Sequence, residues 1–600
     1  MDKNTATGLG LIFLIMVAWF VVSMPSEEER AAQIAERARQ DSLAQIESAE
    51  NEEFTSSVTD QTPSQPTIRE QATDQQEANV PQSGIFASSE ATERSEFVVT
   101  TPLYTAVFSN KGAGPVSFTF SEYNSWSGVP FQLISDSTKS AYNFGFLTTE
   151  NLNVDTQNLL FSQITTGSSL TLNEGDTREL KYALQLKDGR QIVYTYTFLA
   201  DTYEIDFDVQ FIGVSDYIIG RAVDFGWTSK LNVSEKDKKQ EGIDAAAYVY
   251  LGEELEKFKV DEPGRKEETF NGNIDWSATR TKFFTQFIKP LHQTESAYLT
   301  GEVTGENDDP LTKHKYTASI TSSIPSDGAL SYKLFVGPLK YYEIKQVDEH
   351  AYDMVEVGYN WLRWFSDPFV RFIVIPFFTF FSGFISNYGV LVIIFAAAVK
   401  LVLSPLTFKS YKSMAAMREL QPQLKELQDK YKDNPQKQQQ ETMKLYKKNK
   451  VNPLGGCLPN LLQFPILITL WRFFQNSILL RQEEFLWASD LSAPDYIINL
   501  PFSIPFLGDA IGGFVLLMSL AMVFQSKLTG GMSGGGGSNP MAQQMKVLQY
   551  IFPVMLLFIF NSFASGLSLY YLIFNVLSIV QQLYINKTLG KGEETTPAKA

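Results

Sequence analysis

Two kinds of apolar pattern divide the chain. Residues 387–408 read NYGVLVIIFAAAVKLVLSPLTF, an apolar run long enough to cross a bilayer as a helix. Further apolar runs lie near the N-terminus and within residues 451–586. Between them, stretches such as LKYALQL, RQIVYTYTFL and YEIDFDVQFIG alternate apolar and polar residues, as half-buried strands do. The pattern predicts a multi-pass α-helical membrane protein, an N-terminal anchor plus a five-helix core, with a large β-sandwich domain between them.

The N-terminal apolar run predicts a transmembrane anchor over residues 1–26. A cleaved signal peptide is the alternative, but SMPSEEE after the run offers a poor cleavage site. Residues 27–94 are rich in Glu, Gln, Ser, Thr and Ala and have almost no aromatic residues. Such a segment cannot bury enough apolar surface to offset the entropy of ordering, so we predict a disordered polar tether.

The β-sandwich is predicted over residues 95–350, which are long enough for one large antiparallel domain. The sequence KDGR at residues 187–190 is typical of a hairpin turn. A solvated scaffold and a binder of sugars or peptides are the two functional readings. The sequence of this segment contains no recognisable set of catalytic residues, which favours the scaffold.

Residues 351–386 are aromatic, contain Arg363 and Arg371, and are interrupted by Pro368 and Pro376. This composition favours an amphipathic helix in the plane of the membrane interface over a span. The number of crossings agrees with this placement. One crossing, residues 387–408, is enough to place the sandwich and the next basic segment on opposite sides.

Residues 409–450 carry eleven Lys or Arg against five acids, which predicts a cytoplasmic location. Apolar residues recur every three or four positions up to Tyr431, and Asn434-Pro435 is a turn signal before a second helical pattern. We therefore predict a cytoplasmic helical hairpin. It is either a solvated loop or a docking arm for a partner or for anionic lipid.

Residues 451–586 are predicted to hold transmembrane helices 3 to 6. A loop on the outer side of the membrane is expected over residues 481–503, the next span from about Ile504, and a cytoplasmic Gly-rich loop over residues 525–544. With a cytoplasmic tail at residues 587–600, six crossings place both termini in the cytoplasm and residues 27–386 on the outer side.

Lys400 is the residue that most needs explaining, because a cation at membrane depth costs roughly 2.5–17 kcal/mol. No Asp or Glu lies deep in the predicted spans. The side chain either snorkels toward the headgroups, since Lys409 lies only about 13 Å along the helix, or lines a hydrated groove with water or a visiting ligand around it. Uncompensated polar residues in the other spans favour the groove.

Composition narrows the functional classes. The formal net charge of -17 argues against a nucleic-acid binder. One cysteine and three histidines leave few ligands for a metal site, and GGMSGGGGS lacks the lysine of a nucleotide-binding loop. We predict no cofactor, no metal and no enzymatic activity.

Four segments of the membrane half resemble one known family. They are VKLVLSPLT at residues 399–407, SMAAMRELQPQLKELQDKY at 413–431, LYKKNKVNPLGGCLPNLLQFPI at 445–466 and SGLSLYYLIFNVLSIVQQ at 565–582. The chain resembles the YidC/Oxa/Alb insertase family, in the Gram-negative form with a large periplasmic domain. Over the sandwich the likeness is looser and rests on KFFTQFIKP and LFVGP.

The resemblance implies a membrane protein insertase that works alone or with the Sec translocon. It also implies a galactose-mutarotase-like supersandwich in the periplasm and a five-helix groove with a cation in its wall. Most bacterial members have Arg where this chain has Lys400, which keeps the charge but not the planar fork of donors. The family's Thr one turn earlier is Ala396, its Pro between the last two helices is Ala564, and an aromatic residue before it is Ser562.

On this reading a polar client segment enters the groove while its apolar helix leaves into lipid. The groove residues we predict are Lys400, Gln463, Asn561, Ser562, Tyr570 and Tyr571. The predicted exit slide is Phe464, Pro465, Phe552 and Pro553. Interhelical hydrogen bonding is the alternative for the polar groups, and packing for the tyrosines.

The predicted partners are nascent membrane proteins, the Sec translocon, membrane lipid, and ribosome or signal-recognition components bound through residues 409–450 and the C-terminal tail. No sequence-specific nucleic-acid binding is expected. The rival functions are a secondary transporter or channel with Lys400 as its ion site, and a sugar enzyme in the sandwich. Transporters usually have intramembrane acids and paired repeats, which are not seen in this sequence.

Overall fold

The computed structural model describes residue 86 and most of residues 93–590. The gaps within that range are residues 136–138, 187, 231, 233, 306–312, 432–433, 450–457, 505–506 and 530–550. The predicted anchor, nearly all of the tether, most of the Gly-rich loop and most of the C-terminal tail lie outside the described residues.

The first half of the described chain is a β domain. Its strands are β1 (Glu96–Thr100), β2 (Tyr104–Ser109), β3 (Gly114–Asn124), β4 (Pro130–Ile134), β5 (Tyr142–Leu147), β6 (Asn153–Asp155), β7 (Ser162–Gln163), β8 (Ser169–Thr171), β9 (Thr177–Gln185), β10 (Gln191–Leu199), β11 (Glu204–Ile212), β12 (Ala222–Lys230), β13 (Ala246–Leu251), β14 (Glu254–Phe258), β15 (Gly264–Asn271), β16 (Ile274–Arg280), β17 (Phe284–Pro290), β18 (Ser296–Thr304), β19 (Lys313–Ser323) and β20 (Ala329–Pro338).

The strands form three sheets. The largest has the order β14-β13-β16-β17-β20-β11-β10-β9-β7, the second β15-β18-β19-β12-β5-β6, and the third β4-β3-β2-β1-β8. Nearly all pairs are antiparallel, the exception among the described strands being β1 with β8. The inward side chains of the sheets share one aromatic core, so the predicted β-sandwich is confirmed.

The alternation seen in the sequence decides which face of each strand is buried. Along β10, every second side chain is buried and the others are half-buried. Tyr196 of β10 lies opposite Phe207 of β11, and their rings stack with centroids 4.4 Å apart. The predicted turn also forms: β9 and β10 pair through Gln185 and Gln191, with Gly189 at a φ of 85°, where glycine is favoured.

The second half is helical. Two short helices come earlier in the chain: α1 (Lys238–Asp244) lies within the sandwich, and α2 (Tyr341–Val347) follows its last strand. The helices of the second half are α3 (Arg363–Phe369), α4 (Ile375–Ser382), α5 (Tyr388–Glu419), α6 (Gln421–Lys430), α7 (Pro435–Lys448), α8 (Leu458–Asn476), α9 (Gly513–Thr529), α10 (Ile551–Phe560) and α11 (Ser565–Gly590). A π-helical turn, Val370–Val374, joins α3 to α4.

Three described stretches are long and apolar enough to cross a membrane: Arg363–Ser382, Tyr388–Phe408 and Ser565–Ile585. Gly513–Leu528 and Ile551–Phe560 are shorter apolar helices. Helix α11 packs against both α5 and α9, so it is central in the bundle. Helix α5 runs past Phe408 without a break to Glu419, which carries the apolar span into the basic segment.

One predicted span boundary is wrong. We placed the start of a span near Ile504, but residues Tyr496–Ile504 form strand β21, which pairs with β22 (Gly508–Gly512). Helix α9 begins only at Gly513, where the main-chain N–H of Phe514 donates to the Asp495 carboxylate at 2.7 Å. The apolar residues Ile504, Leu507 and Ile511 made this part of the hairpin look like the start of a helix.

Candidate functional site

Lys400 lies on α5 at its interface with α11, and its side chain is only 6% exposed. Its Nζ donates to Ser578 Oγ at 2.7 Å and lies 4.7 Å from the centroid of the Phe574 ring. Ser578 in turn donates to the carbonyl of Phe574 at 2.7 Å, one turn earlier on α11. These contacts fix the ammonium against the neighbouring helix.

This placement corrects the expectation that only water or a visiting ligand surrounds Lys400. A hydroxyl acceptor and an aromatic face on the next helix contact the cation. Neither Ser578 nor Phe574 was among the predicted site residues. The sequence held a signal, however, because Asn575, Ser578 and Gln581 place a polar residue at every third position of an apolar helix.

The polar contact continues along the same interface for two more turns. The Thr407 hydroxyl donates to the side-chain oxygen Oε1 of Gln581 at 3.1 Å, and the side-chain Nε2 of Gln581 donates to Ser404 Oγ at 3.1 Å. Lys400, Ser404 and Thr407 are four and three residues apart, so they lie on one face of α5. We call Lys400, Ser404, Thr407, Ser578 and Gln581 the polar seam.

An unused hydrogen-bond donor lies one helical turn from Ser578 of the polar seam. Asn575 lies one turn before Ser578 on α11, and its side chain is buried. Within the described part of the chain, the Asn575 Nδ2 atom has no hydrogen-bond acceptor. A buried amide donor without a partner is costly, so this position favours binding of an external acceptor.

Gln463 and Tyr571 are two of the predicted groove residues, and the structure brings their side chains together. They meet each other directly and not across an open groove. The Gln463 side chain on α8 is half-buried and lies close to the Tyr571 hydroxyl. The Tyr571 ring meets Phe560 edge to face at 5.7 Å. This pair joins α8, α10 and α11.

Tyr570 does not line an open groove. Its side chain is buried, and its ring packs near Phe395, Phe474 and Phe574 with centroid separations of 6.0–6.5 Å. Its hydroxyl has no hydrogen-bond partner among the described residues. Of the two readings of the tyrosine pair, packing therefore describes Tyr570.

Asn561 also has a different role from the predicted one. Its Oδ1 accepts from the Gly512 N–H at 2.9 Å, and its Nδ2 donates to the carbonyls of Leu507 and Ala510 at 2.8 and 2.7 Å. All of these contacts hold the β21–β22 hairpin, because Asn561 follows the end of α10 on the side where that hairpin lies. Ser562, the next residue, is exposed.

The four predicted slide residues divide into exposed rings and covered prolines. Phe464 on α8 is 54% exposed and Phe552 on α10 is 44% exposed. Pro465 is half-buried and Pro553 is buried. The aromatic rings thus present an apolar surface at the outside of the bundle.

Two ion pairs connect the sandwich to the membrane helices. Arg472 of α8 lies 3.1 Å from Glu356, which also pairs with Lys257 of β14. Arg481, in the loop after α8, pairs with Glu235 of the sandwich at 2.6 Å. Neither arginine was among the residues predicted to be functional, because the acidic partners of both lie far away in the sequence.

The described residues contain no group of three His, Cys, Asp or Glu side chains that could hold a metal ion. The polar seam offers hydrogen bonds and one positive charge, with the Lys400 ammonium in contact with the Ser578 hydroxyl.

Comparison with known proteins decides the family. The model of the 60Kd inner membrane protein family matches residues 380–592, and that of the YidC periplasmic domain matches residues 96–372. The membrane protein insertase YidC of Chlorobium luteolum is 37% identical over 599 residues, covering 98% of this chain and 96% of its own length. The YidC of Chlorobium limicola is 36% identical over 594 residues, covering 98% and 95%.

This chain belongs to the YidC membrane protein insertase family. The membership confirms the resemblance, both in the four membrane segments and over the sandwich, where the likeness was looser. A membrane location and a role in membrane protein insertion are the properties that the YidC family supports.

The sandwich has distant structural neighbours. A putative aldose 1-epimerase from Escherichia coli K12 aligns with 41% of this chain and 100% of its own at 8% identity and a TM-score of 0.27. A galactose mutarotase related enzyme from Lactobacillus acidophilus covers 40% of this chain at 10% identity and the same TM-score. Scores this low support no statement about activity, and the YidC relatives are named insertases.

Proposed function

We propose that this protein inserts membrane proteins by receiving the polar segment of a nascent client at the polar seam. The observation that carries the proposal is the buried ammonium of Lys400, held between two apolar helices by the neutral hydroxyl of Ser578. A polar segment crossing hydrocarbon without partners costs several kcal/mol for each unsatisfied group. The polar seam offers such a segment hydrogen-bond donors, acceptors and a positive charge between two apolar helices.

Exchange of partners is the central step. A client carboxylate is a stronger acceptor for an ammonium than a serine hydroxyl, because charge-assisted hydrogen bonds are about twice as strong as neutral ones. An acidic client segment would therefore take the place of Ser578 on Lys400. The freed Ser578 hydroxyl and the Asn575 amide would then bind the client's main chain.

The client's apolar helix leaves by a different route. Phe464 and Phe552 present exposed rings on α8 and α10, which supports their role as an apolar slide to lipid together with Pro465 and Pro553. Partition of the apolar helix into hydrocarbon supplies the driving force, assisted by the membrane potential acting on charged client segments.

The proposed topology is a multi-pass protein of the bacterial inner membrane. Both termini are cytoplasmic, and residues 27–386 are periplasmic. Arg371 lies about 12 Å along the helix from Arg363, which would place it well inside the membrane if the helix crossed. It nevertheless pairs with Asp353, in the segment that follows the sandwich. This pairing favours a helix in the membrane plane over a span, although Arg363–Ser382 is long and apolar enough to cross.

The proposed partners follow from the surfaces. Helices α6 and α7 belong to the basic segment at residues 409–450, which suits ribosome or signal-recognition components and anionic lipid, as does the C-terminal tail. Cooperation with the Sec translocon is proposed on family grounds alone. Insertion without Sec would use the same polar seam.

Photo-crosslinking to stalled nascent clients tests the proposal. A photoreactive residue at Ser404, Ser578 or Gln581 should crosslink to the client's polar segment, and one at Phe464 or Phe552 to its apolar helix. Val580, which is exposed on the other side of α11, is the matched control. Equal crosslinking of the polar segment from Val580 and Ser578 would refute the polar seam as the receiving site.

A further inference from the structure

A cavity of about 290 Å³ lies where the sandwich meets the membrane helices. Its walls come from the start of α2, the end of α4, the start of α5 and the loop after α8. We call it the junction cavity, and the residues that matter here are Lys340, Glu343, Thr379, Ser382, Tyr388 and Ile478. The volume is near the lower limit for ligand sites, which suits a polar headgroup better than a large molecule.

The position of the junction cavity is set by helix ends. Helix α4 ends at Ser382, α5 begins at Tyr388, and α8 ends at Asn476, just before the wall residue Ile478. Exposed aromatic side chains surround it, as in the belts that mark a membrane–water interface. They are Tyr342, Phe380 and Phe384. On the proposed topology this is the headgroup level of the periplasmic leaflet.

The charged groups of the junction cavity leave one acceptor unused. Lys340 Nζ contacts Glu343 Oε1 at 3.1 Å. Glu343 Oε2, in contrast, is shielded from solvent and has no hydrogen-bond partner among the described residues. Burial raises the pKa of the Glu343 carboxyl above its usual value. The Glu343 side chain lines the cavity, and its carboxylate has an oxygen that lacks a donor, so this carboxylate is the group on which a ligand ammonium would be held.

The other walls suit the rest of a phospholipid headgroup. The Lys340 ammonium and the hydroxyls of Thr379 and Tyr388 are groups that can donate to a phosphate, whereas the Ser382 hydroxyl already donates to the Thr379 carbonyl. Ile375 and Ile478 are apolar wall residues. Phe380 on α4 and Phe384 just after it have exposed rings, and they are close in sequence to the wall residues Thr379 and Ser382. A ligand with an ammonium, a phosphate and acyl chains fits this order of surfaces.

We propose that the junction cavity binds an aminophospholipid of the periplasmic leaflet through its headgroup, with the primary ammonium on the Glu343 carboxylate and the phosphate on Lys340. The acyl chains then lie against the exposed face of α4. This inference rests on the proposed topology and not on the mechanism at Lys400. Bound lipid would join the sandwich to the membrane at the one place where α2, α4, α5 and the loop after α8 meet.

A headgroup methylation series tests the proposal on the unaltered full-length protein. Native mass spectrometry would compare phosphatidylethanolamine, its monomethyl and dimethyl forms, phosphatidylcholine and phosphatidylglycerol of the same acyl composition. Binding should fall stepwise as N–H donors are lost, by about tenfold from the ethanolamine to the choline headgroup. Equal binding along the series, or stronger binding of phosphatidylglycerol, would overturn the proposal.

A pair of variants gives the second measurement. Glu343→Gln should lower the preference for ethanolamine over choline to near unity, whereas Glu349→Gln, at an exposed position that does not line the cavity, should leave it unchanged. A wild-type preference in Glu343→Gln would contradict the assignment. Because no client is present, failure here is distinct from failure of insertion at the polar seam.

Discussion

Arg481 Nε lies 2.6 Å from Glu235 Oε1, although the two residues are 246 positions apart. The Arg481 side chain is 1% exposed, and its Nη2 also donates to the carbonyl of Asn124. The loop after α8 is therefore fixed into the sandwich by a buried charge pair. Movement of the two halves relative to each other would have to break it.

Removal of one partner of this pair should be costly. Arg481→Ala leaves the Glu235 carboxylate buried without its cation, which typically costs about 3–5 kcal/mol. Urea unfolding of the full chain in nanodiscs, followed by tryptophan fluorescence, measures the loss in free energy of unfolding. The exposed pair of Arg221 and Asp216 is the control, since Arg221→Ala should cost less than about 1 kcal/mol. Similar effects of the two variants would contradict this account.

Glu241 should make the stability of the sandwich depend on pH. Burial raises the pKa of its carboxyl to about 7, although the carboxylate accepts from the main-chain N–H groups of Ser234 and Glu235. Because the folded pKa is above the unfolded one, the fold favours the protonated form. The stability is therefore full below about pH 4.5 and is lost as the pH rises to about 7, by about 3 kcal/mol.

Thermal unfolding of the full chain across pH 4.5 to 8 measures this dependence. Glu241→Gln should remove most of the decline between pH 4.5 and 7. The exposed Glu254→Gln should keep the wild-type profile. If Glu241→Gln and the wild type lose stability in parallel, Glu241 is not the group that titrates.

Asn561 should act on the β21–β22 hairpin and not on clients. Asn561→Ala removes the acceptor of the Gly512 N–H and the donor to Leu507 and Ala510, at a cost of about 1–3 kcal/mol. Hydrogen exchange at Gly512 should accelerate, while the neighbouring Ser562→Ala leaves it unchanged. Unchanged exchange in Asn561→Ala, with a loss confined to acidic clients, would restore the role first predicted from the sequence.

Ser578 tests the exchange of partners at Lys400. Ser578→Asp supplies a permanent carboxylate in place of the hydroxyl that accepts from Lys400, so acidic client segments should lose access to the charge. We expect insertion of clients with acidic segments to fall about tenfold, which corresponds to about 1.4 kcal/mol. Ser578→Asn, a neutral polar side chain, is the control. Equal insertion by the two variants would exclude exchange of partners.

The sequence predicted the parts whose pattern is local. Alternation predicted strands such as β10 and β11, and the KDGR turn predicted their hairpin partner β9, because the face a strand buries follows from a period of two. The apolar run around Lys400 predicted α5 for the same kind of reason. The family likeness added the order of the parts.

The errors concern contacts between distant elements. The spacing of Asn575, Ser578 and Gln581 marks a polar face on α11, but it does not show that Ser578 accepts from Lys400. Likewise, nothing local shows that Asn561 holds a hairpin. Arg472 and Arg481 contact Glu356 and Glu235, which lie more than a hundred residues earlier in the chain, so the sequence alone did not pair them. Only the fold brings these partners together.

The most direct test of the central claim is the rate at which reconstituted Lys400 variants insert two matched clients, one with an acidic and one with a neutral translocated segment. Lys400→Arg should insert both at near wild-type rates, since it keeps the charge. Lys400→Ala and Lys400→Glu should insert the acidic client about tenfold more slowly or worse, with a smaller effect on the neutral client. Equal rates for all three variants on the acidic client would contradict a role for the charge of Lys400 in insertion.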